Sequence, residues 1–177
     1  MRLKGQFCTL RLVEIEDASF ILKLRTDQKK SKFLSKTNVD LEEQISWIKL
    51  YKKREDLKKE YYFIIEDKFN NKVGTYRLYD INHEQATPGS WIIIDGVELS
   101  VTIESVLLMY DFVFNRLNLK RINFDVMKGN KRVVRFHESY GSVCIYEDED
   151  NKNYEFDSKQ FPEMKTKMRK YIGASHA

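Results

Sequence analysis

Three histidines and a scatter of carboxylates are the side chains of this sequence best suited to move a proton near neutral pH. His137 stands in the run Phe136-His-Glu-Ser-Tyr140. Its imidazole, with an ordinary pKa of about 6.5, suits a proton donor. Tyr140, one helical turn further on, is the alternative acid. His83 and Glu84 adjoin in a polar stretch and could take a proton directly or through water, with Asp80 and Glu104 as further candidates. Each has a plainer reading: a lone histidine on an apolar stripe is usually a packed core residue, and polar loops carry such side chains by default. His83, His137, His176, Cys8 and Cys144 show no ligand spacing, so no metal site is expected. Neither a Gly-x-Ser-x-Gly elbow nor a Walker loop occurs, which removes two common nucleophile and phosphate chemistries.

The chain that must position these groups has 177 residues, enough for one domain with a substantial core. With 42% hydrophobic and 33% charged residues it reads as an ordinary globular protein. Only two prolines and seven glycines argue against linkers and low-complexity stretches. A net charge of +4 is too mild and too dispersed to ask for nucleic acid, and it suits an anionic small ligand. No apolar run is long enough to span a bilayer, and the N-terminus does not open into a signal-peptide core. The two thiols read as reduced core residues, so a cytoplasmic protein with no membrane partner is expected.

Residues 7–15 alternate apolar and polar, which predicts a first strand. Asp17 is the N-cap candidate for a helix carrying Phe20, Ile21 and Leu24. Asp40-Leu-Glu-Glu43 has the spacing of a capping box, followed by Leu41, Ile45 and Ile48 on one face with Trp47 and Tyr51 beside it. The basic run at 49–59 suits a solvated helix C-terminus. Strands are predicted at 61–66, 73–80 and 90–95, joined by a turn at Asn70-Asn71 and a polar loop at 82–89. Residues 101–117 are apolar on nearly every side and predict a helix buried against a sheet. A strand at 120–127 and a helix at 130–140 follow. Two short strands, at 143–147 and 154–157, then precede a last helix capped by Ser158. The order β-α-α-β-β-β-α-β-α-β-β-α makes a mixed sheet with helices on its faces.

That order, together with two segments, resembles the GNAT superfamily of N-acetyltransferases. Lys72–Asn82 (Lys-Val-Gly-Thr-Tyr-Arg-Leu-Tyr-Asp-Ile-Asn) is similar to the third strand of its ribosomal-protein and spermidine acetyltransferase branch. The run from Tyr110 to Ile122 and the segment Asn130 to Gly141 look like that branch's long helix and its following strand–helix unit. Gly89-Ser-Trp-Ile-Ile93, Ile103 to Phe112 and the Phe136-His137 pair further resemble acetyltransferases of surface-polysaccharide biosynthesis, which act on nucleotide-linked amino deoxysugars. The resemblance implies an α/β (α+β) GNAT fold over residues 1–177. Its central sheet would be mixed, of about seven strands, with helices on both faces, and acetyl-CoA would be the cosubstrate.

The resemblance also implies site residues. Members of the family carry Arg/Gln-x-x-Gly-x-Gly/Ala before the long helix, whose amides take the CoA pyrophosphate. Here Val97-Glu-Leu-Ser-Val-Thr102 stands in that place, without those glycines. The amides of Val101, Thr102, Ile103 and Glu104, with the hydroxyls of Ser100 and Thr102, are the expected anion site, because a helix N-terminus binds anions without glycine. The alternative is a domain that has lost the cosubstrate and works as a non-catalytic binding module. An oxyanion donor is implied at the backbone of Ile93 or Ile94. Asn130 matches a pantetheine contact and is also a natural N-cap. Lys131 and Arg132, with Lys128 and Arg135, could meet CoA phosphates or simply decorate a helix. His137 stands where the family pattern has a tyrosine near the CoA sulfur, and His83 and Glu84 where the substrate cleft opens. Tyr79 and Trp91 are candidates to stack on a base or sugar. The expected function is acetyl transfer to a small-molecule primary amine, a nucleotide-linked amino deoxysugar first. A protein N-terminus or polyamine is the alternative, and a homodimer is left open.

Overall fold

The computed structural model describes residues 1–27, 29, 30, 33 and 37–174; His176 lies outside the described residues. Among them eight strands form one sheet: β1 (Arg2–Lys4), β2 (Cys8–Leu12), β3 (Tyr61–Asp67), β4 (Lys72–Tyr79), β5 (Gln85–Ile93), β6 (Arg121–Met127), β7 (Val143–Glu147) and β8 (Asn151–Asp157). Their spatial order is β1-β2-β3-β4-β5-β6-β8-β7. Every pairing is antiparallel except β5 with β6. The helices are α1 (Ala18–Thr26), α2 (Leu41–Asp56), α3 (Leu99–Asp111), α4 (Lys131–Ser139) and α5 (Phe161–Ala174). The GNAT architecture expected from the sequence is present, with one strand more than the expected seven. The extra strand is β1, which pairs Leu3 with Leu10 in a hairpin too short to show a period.

The middle of the sheet is covered on both sides, and β3 shows why its sequence does not alternate. Tyr61, Phe63 and Ile65 pack into the large core with α3 and α5, while Tyr62 and Ile64 pack against α1 and α2. A strand buried on two faces reads as a continuous apolar run because side chains alternate between them. Ile48, Tyr51 and Gln44 form the buried face of α2, and Leu41, expected on it, is exposed.

Several boundaries differ from expectation for physical reasons. Asp17 does not cap α1: its carboxylate accepts from Arg11 at 2.6 and 2.8 Å and pairs with Lys72 at 2.6 Å, after a 3-10 turn at Ile15–Asp17. Asp40 does cap α2, accepting from the Glu43 amide at 3.0 Å, but Glu43 turns to Asn38, so only half the capping box forms. Asp157 rather than Ser158 caps the last helical segment. The largest correction is the loop at 82–89, most of which is strand. Gln85 to Gly89 pair on β4 and β6 despite the Pro88-Gly89 signal. Pro88 brings no N–H, which is tolerated because the β6 side of β5 is open beyond Ala86.

Candidate active site

The site begins with a defect in the sheet. β5 and β6 pair in parallel only at Gln85–Arg121 and Ala86–Ile122, and then diverge. On its other side, β5 pairs Ile92 with Thr75 and Gly89 with Arg77, so β5 spends three steps where β4 spends two. The extra residue falls at Ser90, whose φ of 46° lies in the left-handed region. A bulge of this kind bends the strand, here away from β6. Thr75 Oγ donates to the Ser90 carbonyl at 3.0 Å and pins it.

The resulting gap encloses about 300 Å³ between β5, β6 and α4. The amide of Ile94 donates to Val73 at 2.9 Å, so its hydrogen bond is spent on β4. Successive groups of a strand point to opposite edges, so the N–H and C=O of Ile93 face the gap. Of the two backbone positions expected to hold an oxyanion, Ile93 is therefore the available one. Asn130 lines the same gap and caps α4 by accepting from the Val133 amide at 3.4 Å. Lys131 and Arg132 follow it, exposed on the first turn of α4.

His137 also lines the gap, on the buried face of α4. Its ring lies 4.4 Å from that of Phe124 and 6.3 Å from that of Trp91. Burial among these rings lowers its pKa from 6.5 to about 4. At neutral pH it is a neutral imidazole, so a proton it gave would come from its one ring N–H and not from an imidazolium. Trp91 is committed to the core as well. Its indole N–H donates to Ser105 Oγ at 3.1 Å, and its ring packs on Tyr76 and Phe136 at 5.7 and 5.4 Å. Tyr140 ends α4 beside Phe136 and Tyr171, and burial raises its pKa.

The other expected residues lie elsewhere. His83 and Glu84 precede β5 at the closed end of the gap, where β5 and β6 still pair, and not at its mouth. Glu84 is bound to Arg121 at 3.0 Å and Lys120 at 3.5 Å, and the Arg121 charge, ahead of Lys120, holds its pKa low. The start of α3 lines a separate cavity of about 410 Å³ with Gly96, Val97, Lys68 and Phe69. There the amides expected to meet an anion are engaged within the chain. The Val101 and Thr102 amides both bond to the Glu98 carbonyl, at 3.1 and 3.3 Å. Ile103 and Glu104 fall inside the helix, so the amides that open it are those of Leu99 and Ser100. Ser100 Oγ is buried and donates to Glu98 at 3.2 Å. The Glu104 carboxylate itself accepts from the amides of Gln6, Phe7 and Cys8 at 2.8, 2.6 and 2.8 Å. It fastens the β1–β2 hairpin to α3, so its carboxylate is already engaged by three amides of the fold.

A second pocket, of about 290 Å³, lies on the opposite face of the sheet between α1, α2 and β4. It is lined by Arg25, Trp47, Tyr62 and Arg77, with Asp40 and Glu43 at the start of α2. Ser90 lines both this pocket and the gap, and its hydroxyl accepts from Arg25 at 3.1 Å. Arg77 Nε donates to the buried Glu60 at 2.6 Å, as does Arg54 Nε from the other side. The Arg77 guanidinium sits 5.1 Å from the Trp47 ring and 4.8 Å from that of Tyr79, so Tyr79 braces an arginine. None of Arg25, Trp47, Tyr62 or Arg77 was singled out as functional from sequence. The available signal was charge inside apolar strands: Glu60 abuts Tyr61-Tyr62-Phe63, and Arg77 interrupts Tyr76–Tyr79.

The geometry agrees with what the chain resembles. The family model described as Acetyltransferase (GNAT) domain matches residues 8–143. A comparison with curated protein sequences gives no match. Among solved structures, "Apo FdhC- a nucleotide-linked sugar GNAT" is 38% identical, covering 97% of this chain and 98% of its own, with a TM-score of 0.88. Vibrio cholerae spermidine N-acetyltransferase, in complex with CoA and spermine, is 23% identical over 89% of this chain and 99% of its own, at TM-score 0.76. The ribosomal-protein-S5-alanine acetyltransferase of Vibrio fischeri is 16% identical over 91% and 98%, at TM-score 0.77. The last two likenesses concern the fold alone.

Proposed function

The chain belongs to the GNAT acetyltransferase family, and from that membership we propose that it carries the acetyl group of acetyl-CoA to the primary amine of a nucleotide-linked amino deoxysugar. As a GNAT enzyme it is an N-acetyltransferase using acetyl-CoA. The observation that carries the acceptor's placement is Ser90, the residue at which the gap and the α1–α2 pocket meet. A thioester in the gap and an amine in the pocket would face each other across the bulge. The identity of the amine is supported by the 38% identity with a nucleotide-linked sugar GNAT over nearly the whole chain.

The gap fits a thin ligand bearing amide groups, because the open edge of β5 offers backbone donors and acceptors with no strand beyond them. Asn130 and Ile93 would hold such an arm, and Phe124, Val133 and the neutral His137 would keep water from the thioester. The Ile93 N–H donates to the carbonyl oxygen as it gains negative charge. The amine nitrogen forms the new C–N bond while the C–S bond breaks. The proton released by the amine ends on the sulfur, so thiol and amide leave without other reactants. Proximity across the bulge supplies much of the rate.

A second reading has its own observation: Asp40 and Glu43 acidify the rim of the pocket, which favours a cationic acceptor such as a polyamine or a protein N-terminus. A thiol-release assay separates the two. Nucleotide-linked amino sugars are expected to give kcat/KM at least about tenfold above spermidine or peptides, a difference of about 1.4 kcal/mol. The reverse order overturns the proposal.

A further inference from the structure

We propose that Arg77 and Tyr62 form an anion-binding fork in the α1–α2 pocket that takes an oxygen of the acceptor's diphosphate, with Glu60 as the positioning residue behind it. The inference rests on the nucleotide-linked reading of the acceptor for the anion's identity, but not for the fork itself.

Three observations converge. The Tyr62 side chain lines the pocket yet is only 2% exposed, and its hydroxyl, with Thr75 and Arg25 beside it, meets no partner at hydrogen-bonding geometry: Thr75 Oγ donates to the Ser90 carbonyl and Arg25 to the Ser90 hydroxyl. Buried hydroxyls are ordinarily paired, so an orphan at a pocket wall marks a group awaiting a ligand acceptor. Arg77, which lines the pocket, spends its Nε on Glu60, while its two terminal nitrogens carry no hydrogen bond to any described residue. Those nitrogens are the pair a guanidinium offers to phosphate in a bidentate contact. Finally, the guanidinium is fixed in advance. Glu60, 3% exposed, is shared between Arg77 and Arg54, and the rings of Trp47 and Tyr79 pack on the Arg77 plane. Two arginines around one carboxylate leave a net positive charge, so the cluster is not self-neutralised.

The placement also suits the reaction. Arg77 pairs across the sheet with Gly89, the neighbour of Ser90. An anion on the fork therefore lies in the pocket whose lining reaches Ser90, the proposed transfer point. Asp40 and Glu43 lie on the first turn of α2, across the pocket, so the anion has one wall that attracts it and one that repels it.

The test is calorimetry with the CoA site saturated by CoA, titrating inorganic pyrophosphate, then UDP and dTDP. The wild type is expected to bind pyrophosphate, Arg77→Met to weaken it about tenfold or more, and Tyr62→Phe several-fold. Tyr62→Phe keeps the ring, so it should fold as the wild type does and melt higher, having lost an unpaired buried hydroxyl. Glu60→Gln should raise the acceptor KM while the acetyl-CoA KM and kcat stay put, a split that general unfolding does not produce. Pyrophosphate affinity equal in the wild type, Arg77→Met and Tyr62→Phe, or absent in all three, overturns the fork. If pyrophosphate binding depends on Arg77 but UDP and dTDP bind no tighter, the fork stands and the nucleotide reading of the acceptor falls.

Discussion

The two cavities that meet at Ser90 are built on opposite principles. The gap between β5 and β6 is walled by aromatic rings, a neutral histidine and a free strand edge, with Lys29, Lys30 and Asp125 as its charged side chains. The α1–α2 pocket is walled by guanidiniums and carboxylates, each held by a partner chosen elsewhere in the fold. Such a division suits a transferase. The acyl donor is the same in every turnover and can be held by an invariant strand edge, whereas the acceptor must be told apart from other amines by charge and shape. On the proposed assignment, donor binding would be a property of topology and acceptor binding a property of side chains.

The sharpest way to break the division is to remove the bulge that separates the two regions. Ser90 holds φ at 46°, a conformation that costs a β-branched residue about 1–3 kcal/mol. Ser90→Val is expected to lower kcat by about 100-fold or more, because the strand edge and the pocket lose their common corner. Ser90→Gly keeps that backbone and should retain most of the activity while losing the Arg25 contact. Steady-state kinetics on both variants, with melting curves, checks this. If Ser90→Val turns over like Ser90→Gly, the bulge does not align the reactants.

His137 gives the next effect in size, and it concerns stability. Its pKa is about 4 folded against 6.5 unfolded, so between those values the unfolded chain binds the extra proton. Stability therefore rises with pH through that window: it is complete above about 6.5 and falls away as the pH drops toward 4. The full difference is about 3 kcal/mol, using about 1.4 kcal/mol per unit. His137→Phe should flatten urea unfolding midpoints between pH 6.5 and 4 and leave kcat at pH 7.5 within about threefold. A loss of kcat by two orders of magnitude instead would return His137 to the proton transfer.

Glu104 tests whether the opening turns of α3 serve the fold or the cosubstrate. Its carboxylate accepts from three amides of the hairpin turn, so Glu104→Ala should cost about 1–3 kcal/mol of stability. Affinity for acetyl-CoA, measured by calorimetry on the folded variant, should not move beyond about twofold. A tenfold weakening would place residues near 104 back in the donor site.

How much of this could be read from the residues follows the same division. Element order was legible because burial imprints a period on α2, α4 and β2 and makes α3 one long apolar run, and Asn130 was legible as a cap. The gap was not. It arises from one left-handed residue and from which way the Ile93 and Ile94 amides point, and neither has a residue-type signature. The missing glycines drew attention to the start of α3, where Ser100 and Glu98 in fact satisfy each other. His83 and Glu84 were misplaced because Pro88-Gly89 read as loop, which moved the expected start of β5 from Gln85 to Ser90. The α1–α2 pocket brings together Arg25, Trp47, Tyr62 and Arg77 from four elements, and only tertiary packing makes them neighbours.

The smallest effect is the most exacting for the view that the aromatic wall is core rather than ligand platform. Trp91 was expected to stack on a base or sugar, but its indole N–H is bound to Ser105 and its ring lies against Tyr76 and Phe136. If that packing is its role, Ser105→Ala should lower stability by about 1 kcal/mol, the cost of leaving one buried donor unpaired. The acceptor KM should stay within about twofold, because the ring keeps its place between its neighbours. If the ring instead met the acceptor, releasing its N–H would let it tilt, and KM would rise while stability changed little. The two outcomes move different observables, so one melting curve and one acceptor titration on a single variant decide between a tryptophan that shapes the gap and one that binds across it.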